Sequence, residues 1–290
     1  MSEALVLCRF AHFAATMTLF GLCFFCATLA PAGLVATLGR AIGRIKATAL
    51  VVGVLTLALW LMIEGGEMGD GWRDAIDPDI VLSVLQDTAF GHVWAARMLI
   101  AVALAAVALW PRSPPALESI VAGLFLASLG LVGHATMREG TVGMFERANQ
   151  ALHLLAGGFW LGCLAPLLLC LPCLDDAARK REAGVALRRF SGLGHFAVAA
   201  VLLTGAVNTT MILKRVPDDP SSPYQTMLAI KIVVVGAMAL LALYNRYVLV
   251  PRLSLSEAAL PMLARNTRIE LALGAVVLAL VSTFATLNPM

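Results

Sequence analysis

Eight apolar runs follow one another along the chain, each about 20 residues long, and nothing else in the sequence narrows the possible folds as much. They cover residues 5–30, 46–63, 88–110, 116–136, 148–171, 187–213, 225–249 and 267–287. At ~1.5 Å per residue, each is long enough for a helix to cross a hydrocarbon core of about 30 Å. Within lipid a backbone must satisfy its own hydrogen bonds, and the runs lack the two-residue alternation of barrel strands. The fold class expected is therefore all-α: a polytopic integral membrane protein, a bundle of eight transmembrane helices, with residues 1–290 as a single transmembrane domain. The stretch from Ala4 has no basic region ahead of it and exceeds a signal h-region, so it is read as the first span rather than a cleaved leader.

Charge fixes the expected orientation. Only 13% of residues are charged and 60% are hydrophobic, against about 25% charged in a soluble domain. The net charge of +3 is small and scattered, which argues against a nucleic-acid partner. Thirteen Lys and Arg fall in the odd-numbered connections: Arg40, Arg44, Lys46, Arg112, Arg179, Lys180, Arg181, Arg188, Arg189, Arg246, Arg252, Arg265 and Arg268. The even-numbered connections hold five: Arg73, Arg138, Arg147, Lys214 and Arg215. By the positive-inside rule both termini face the periplasm. The outer loop from Glu64 to Asp87 carries Glu64, Glu67, Asp70, Asp74, Asp77, Asp79 and Asp87 against Arg73 alone. Outer loops avoid positive charge in any case, but such a loop would also concentrate cations.

With that topology four of the five histidines share one depth. His12 lies about two turns into span 1, His92 about one turn into span 3, His134 closes span 4 and His153 opens span 5. Only His195 belongs to the inner half. A lone histidine in a span is commonly polar glue between helices, whereas several at one level point to a shared ligand. Imidazole suits copper, zinc and haem iron, and thioether selects soft copper. Met68, Met137 and Met144 border the histidine layer; copper fits these donors best, although methionines also serve as gap-fillers. Cys23 with Cys26, and Cys170 with Cys173, lie near the inner ends of spans 1 and 5. They are read chiefly as packing residues, with a thiolate acceptor for Cu(I) as the functional alternative. Arg97 is expected to pair by snorkelling, Asp87 being a candidate, and Lys231 to pair with an acid. Trp160 shares a face of span 5 with His153 and is expected beside the site or facing lipid.

Residues 188–251 carry a set of motifs that resembles a known family. They are Arg189-Phe190-Ser191, Thr204-Gly205 with Asn208, Tyr224 followed by Leu228 and Lys231, and Asn245-Arg246 before Pro251. Upstream, the histidine of the first span, Phe90-Gly91 with Trp94 and Arg97, Gly133-His134-Ala135, and the run from His153 to Trp160-Leu161-Gly162 match as well; downstream, Glu270 opens the last span. The chain thus resembles the bacterial copper-resistance membrane protein CopD over nearly its whole length.

The resemblance implies an inner-membrane protein of copper homeostasis that moves copper from periplasm to cytoplasm, often beside the small periplasmic copper carrier CopC. No fused CopC domain is expected, because the first span starts at once. His12, His134 and His153 fall on matching positions; His92 joins the metal set by depth alone. No hydrolytic triad, phosphate-binding loop or nucleotide motif is present, so no enzyme is expected. Histidines at one depth also describe the alternative of a b-type cytochrome with bis-histidine haem b. The expected partners are the copper ion, a CopC-like carrier and membrane lipid, with the chain as monomer or homodimer.

Overall fold

A computed structural model of the chain describes residues 1–110, 112–132, 140–213, 219, 221–253, 255–284 and 286–287. The described residues contain helices and no strand. The long elements are α1 (Ser2–Phe24), α2 (Ala32–Met68), α5 (Ala89–Leu109), α6 (Pro115–Ala127), α7 (Gly140–Cys170), α8 (Lys180–Leu213), α9 (Pro223–Tyr244) and α11 (Ala259–Phe284). Short helices α3 (Trp72–Ala75), α4 (Pro78–Asp87) and α10 (Val250–Arg252) lie between them. Among the described residues seven helices are long and apolar enough to cross a membrane. The span expected at 116–136 corresponds to a shorter apolar segment, Pro115–Leu131. It ends in a 3-10 turn, Ser128–Leu131, and residues 133–136 of that expectation lie outside the described residues.

Several helices begin earlier than the apolar runs predict. α2 starts at Ala32 rather than 46, α7 at Gly140 rather than 148, and α8 at Lys180 rather than 187. Hydropathy registers only the apolar part, whereas helical hydrogen bonding continues through charged flanks such as Arg40 and Arg44. The 37 residues of α2 correspond to about 55 Å, more than the ~40–45 Å of a whole bilayer. The acidic segment is not a plain loop either. Asp77 caps α4 by accepting from Asp79 N at 2.9 Å, with Pro78 at the first helical position. Thr88 then stops α4 and caps α5, its hydroxyl accepting from Gly91 N at 2.9 Å.

The bundle is organised on α1 and α7, the two most buried spans, while α8 and α9 turn most of their surface outward. α1 packs against α2, α6, α7 and α11. Where α1 crosses α7 the backbones touch: a Cβ on Gly21 would lie 2.1 Å from the Gly162 carbonyl carbon. Neither position has room for any side chain, the usual device for close helix approach in lipid. Gly158 is likewise filled from within the chain, by Leu126 and Phe20. Cys163 is fully buried at the crossing and its Sγ donates to Gly21 O at 3.3 Å. Cys23, Cys170 and Cys173 are buried too. α1 and α9 each end in a π-helical turn, Phe25–Leu29 and Asn245–Leu249.

Candidate functional site

α1 presents His12 to α2, α5 and α6, in an aromatic cage of Trp60, Trp94 and Phe125 with ring centroids 5.7, 6.4 and 5.8 Å away. The ring is fully buried. Arg97 Nη2 donates to His12 Nε2 at 2.7 Å, and Arg97 Nη1 donates to Ser128 Oγ at 2.7 Å. A guanidinium has no lone pair to offer, so His12 Nε2 must be the acceptor. The proton is then on Nδ1, which lies 2.9 Å from Thr56 Oγ1. Thr56 spends its own hydroxyl proton on Val52 O at 2.6 Å, which leaves its oxygen to accept from His12. His12 is therefore a neutral imidazole with both nitrogens committed. The expected partnership of Arg97 with Asp87 is corrected: the guanidinium lies against His12, Ser128 and the faces of Trp94 and Phe125, 4.9 and 5.2 Å from the ring centres. Cation–π contact and hydrogen bonds inside the bundle outweigh a stretch to the surface.

His153 sits in a different cluster, between α7 and α8. Its Nδ1 is 2.9 Å from Thr204 Oγ1, and Thr204 donates its hydroxyl proton to Ala200 O. By the same reasoning the His153 proton is on Nδ1, and the lone pair of Nε2 has no hydrogen-bond partner among the described residues. Gly205 lies alongside the ring, where an added Cβ would come to 3.4 Å from His153 Cε1, close to ordinary van der Waals contact. Asn208, one turn further along α8, accepts from Asn149 Nδ2 at 2.8 Å and donates to Gln150 Oε1 at 2.7 Å. Asn149 also donates to Thr204 O at 3.0 Å. Thr204 and Asn208 thus tie α8 to the turn of α7 that carries His153. Met17 of α1 reaches the same face of α7, its Cε 3.9 Å from a Cβ built on Gly157.

The remaining expected ligands are placed apart. His92 is exposed in the first turn of α5, its Nε2 donating to Gln86 O at 2.7 Å. His134, like Met137, lies outside the described residues. Met68 and Met144 are exposed. The expected common depth does not bring the described histidines together: His12 and His153 have no partner residue in common, and no group of three or more His, Cys, Asp or Glu among the described residues is disposed to hold a metal ion. His195 is bonded to Tyr247, Nε2 to Oη 2.7 Å.

Two further groups depart from expectation. Lys231 has no acidic partner among the described residues; its Nζ lies 5.8 Å from the Phe284 ring centre. Trp160 is buried and faces neither lipid nor His153, because its Nε1 donates to Glu270 Oε2 at 3.3 Å. Asn245 Nδ2 donates to the other carboxylate oxygen at 2.6 Å, and Asn266 Nδ2 holds Asn245 Oδ1 at 2.8 Å. The motif residues Asn245 and Glu270, whose partners the sequence could not supply, form this second polar centre.

Residues 1–144 match the family model described as copper resistance protein D-like, N-terminal domain, and residues 184–284 match copper resistance protein D. The chain is 37% identical over 283 residues to inner membrane protein YebZ of Escherichia coli, covering 97% of each chain. It is 30% identical over 305 residues to copper resistance protein D of Pseudomonas syringae, covering 97% of this chain and 95% of that one. It is also 29% identical over 188 residues to copper transport protein CutJ of Bacillus subtilis, a match that covers 61% of this chain and 34% of the relative.

Proposed function

Because this chain belongs to the copper resistance protein D family, a group of copper-related membrane proteins, we propose that it carries copper from the periplasm to the cytoplasm across the inner membrane. Eight spans and both termini outside complete this reading; the loop charges support the orientation. Copper is met by the outer half of the bundle, where the exposed acids Glu67, Asp70 and Asp79 raise its local concentration. The first nitrogen donor is His153 Nε2, with His134 as the second histidine on the same side in sequence and a methionine, Met17 or Met144, as the soft donor. His12 joins only when Arg97 withdraws from its Nε2, and His92 serves at the surface.

The observation that carries the reading is the state of the His153 ring. A metal-binding histidine characteristically donates its other N–H to a fixed acceptor, which sets the tautomer and aims the free lone pair. Thr204 does this for His153. Neutral imidazole needs to lose no proton on binding copper. The test is copper accumulation in proteoliposomes containing the wild type or His153→Ala at equal protein density. Transport by the wild type and its loss in the variant is the expected outcome; unchanged accumulation by His153→Ala removes His153 from the path.

A further inference from the structure

A cavity of about 310 Å³ lies between α7, α8, α9 and α11, its α7 lining, Trp160 to Leu167, beginning two turns beyond His153. It belongs to the basic end, where the connections carry Arg179, Lys180, Arg181 and Arg252. Its walls are largely apolar, with the exposed Leu202 and Leu243 at a lateral mouth toward lipid between α8 and α9, and it has a polar end at Ser191, His195 and Arg246. Glu270 and its donors Trp160 and Asn245 line it as well. The other titratable or charged groups in that lining are His195 on α8 and Arg246 in the π-helical turn. α7 contributes none, and α1, which packs against α11 elsewhere, contributes none to the lining.

The environment of Glu270 is unusual in one respect. The carboxyl is 3% exposed and accepts from two donors that can do nothing else: an indole N–H, and an amide N–H whose orientation Asn266 locks. That arrangement solvates an anion. Yet no cation is paired with Glu270 among the described residues; Arg246 bonds instead to Ser191 Oγ at 2.5 Å. An uncompensated carboxylate within a span is expensive, and ionisable groups kept there mark ion pathways and proton relays among other functional sites. The π-turn that supplies Asn245 adds a local irregularity of the kind often found at functional sites.

We propose that Glu270 is a proton-binding site, loaded and emptied through the polar end of this cavity at Ser191 and His195, and that copper in the bundle exchanges with this proton. The second clause rests on the copper reading above. Trp160, which holds Glu270, is seven residues from His153 on the same face of α7, about 10 Å along the axis. A cation arriving near His153 favours the ionised carboxyl: the O–H bond of Glu270 breaks, its proton leaves by the cavity, and the carboxylate charge stays behind to balance the copper. Reprotonation favours release of the cation. No oxidant or reductant is required.

The test uses the full chain in lipid nanodiscs and infrared difference spectra between acid and alkaline pH, first without copper. A protonated-carboxyl C=O band that titrates, vanishes in Glu270→Gln and returns displaced in Glu270→Asp is expected. A titrating band of unchanged size in Glu270→Gln, or none in the wild type, overturns the site. Thermal unfolding of both variants checks that they fold. Cu(I) is then added in weak buffer with an indicator dye. Bleaching of the band and release of a proton for each copper bound, both absent in Glu270→Gln, are expected. Copper binding without either change overturns the exchange, whereas failure of the wild type to bind copper refutes the copper reading and leaves the carboxyl result standing.

Discussion

Thr204→Val is the sharpest single perturbation of the proposed copper donor. The substitution keeps the shape of the side chain and removes the oxygen 2.9 Å from His153 Nδ1. Ala200 O loses only an extra donor, since it remains in the α8 ladder, and the damage is confined to the imidazole. Its N–H, enclosed between α7 and α8, is left unsatisfied, which costs about 1–3 kcal/mol. The ring can recover part of this by turning or by moving its proton to Nε2, and either change removes the lone pair from its aim. Loss of such an orienting partner typically lowers metal affinity by about 10–100-fold, or roughly 1.4–2.7 kcal/mol, in line with the hydrogen bond lost. The assay is competition for Cu(I) against a chromophoric chelator, using detergent-purified protein, with Thr204→Ser as the control that keeps the hydroxyl. An affinity for Thr204→Val equal to the wild type would refute the argument that Thr204 prepares His153 for copper.

Other consequences follow from the same geometry. His12→Ala removes one hydrogen-bond partner from the buried Arg97 guanidinium, which keeps Ser128 and the Trp94 and Phe125 faces, and should cost about 1.5–3 kcal/mol of stability, seen as a lower Tm, while lowering copper affinity less than His153→Ala does. Gly21→Val places methyl groups where the α7 backbone already lies; overpacking of about 1–3 kcal/mol or more should reduce folded protein in a size-exclusion assay. Neutralising Glu67 and Asp79 together, both exposed, should slow copper uptake at low ionic strength and leave it unchanged at high ionic strength, because screening removes the steering field.

How much of this was legible in the sequence depended on the range of the interaction. Apolar length announced the helices, since lipid leaves a backbone few alternatives. Their flanks were hidden because α2, α7 and α8 continue through charged residues that hydropathy counts as loop. Topology suggests one level for four histidines, but depth is a coordinate along a helix and says nothing of azimuth: His12 turns toward α2 and α5, His153 toward α8, and His92 outward. Arg97 was matched to Asp87, close by in sequence, when its partner was His12, far away in sequence and adjacent in the bundle. Thr204, Gly205, Asn208, Asn245 and Glu270 were visible as motif residues, yet which of them holds an imidazole and which a carboxyl is decided by helix pairing. A hint lay in Trp160, which shares a heptad-spaced face with His153 and carries a donor that burial obliges to find an acceptor.

X-ray absorption at the copper edge of the purified, copper-loaded protein tests the central claim most directly. The wild type should show the outer-shell scattering of coordinated imidazole, and His153→Ala should lose part of that signature together with bound copper. An identical spectrum and full copper occupancy in His153→Ala would contradict the account.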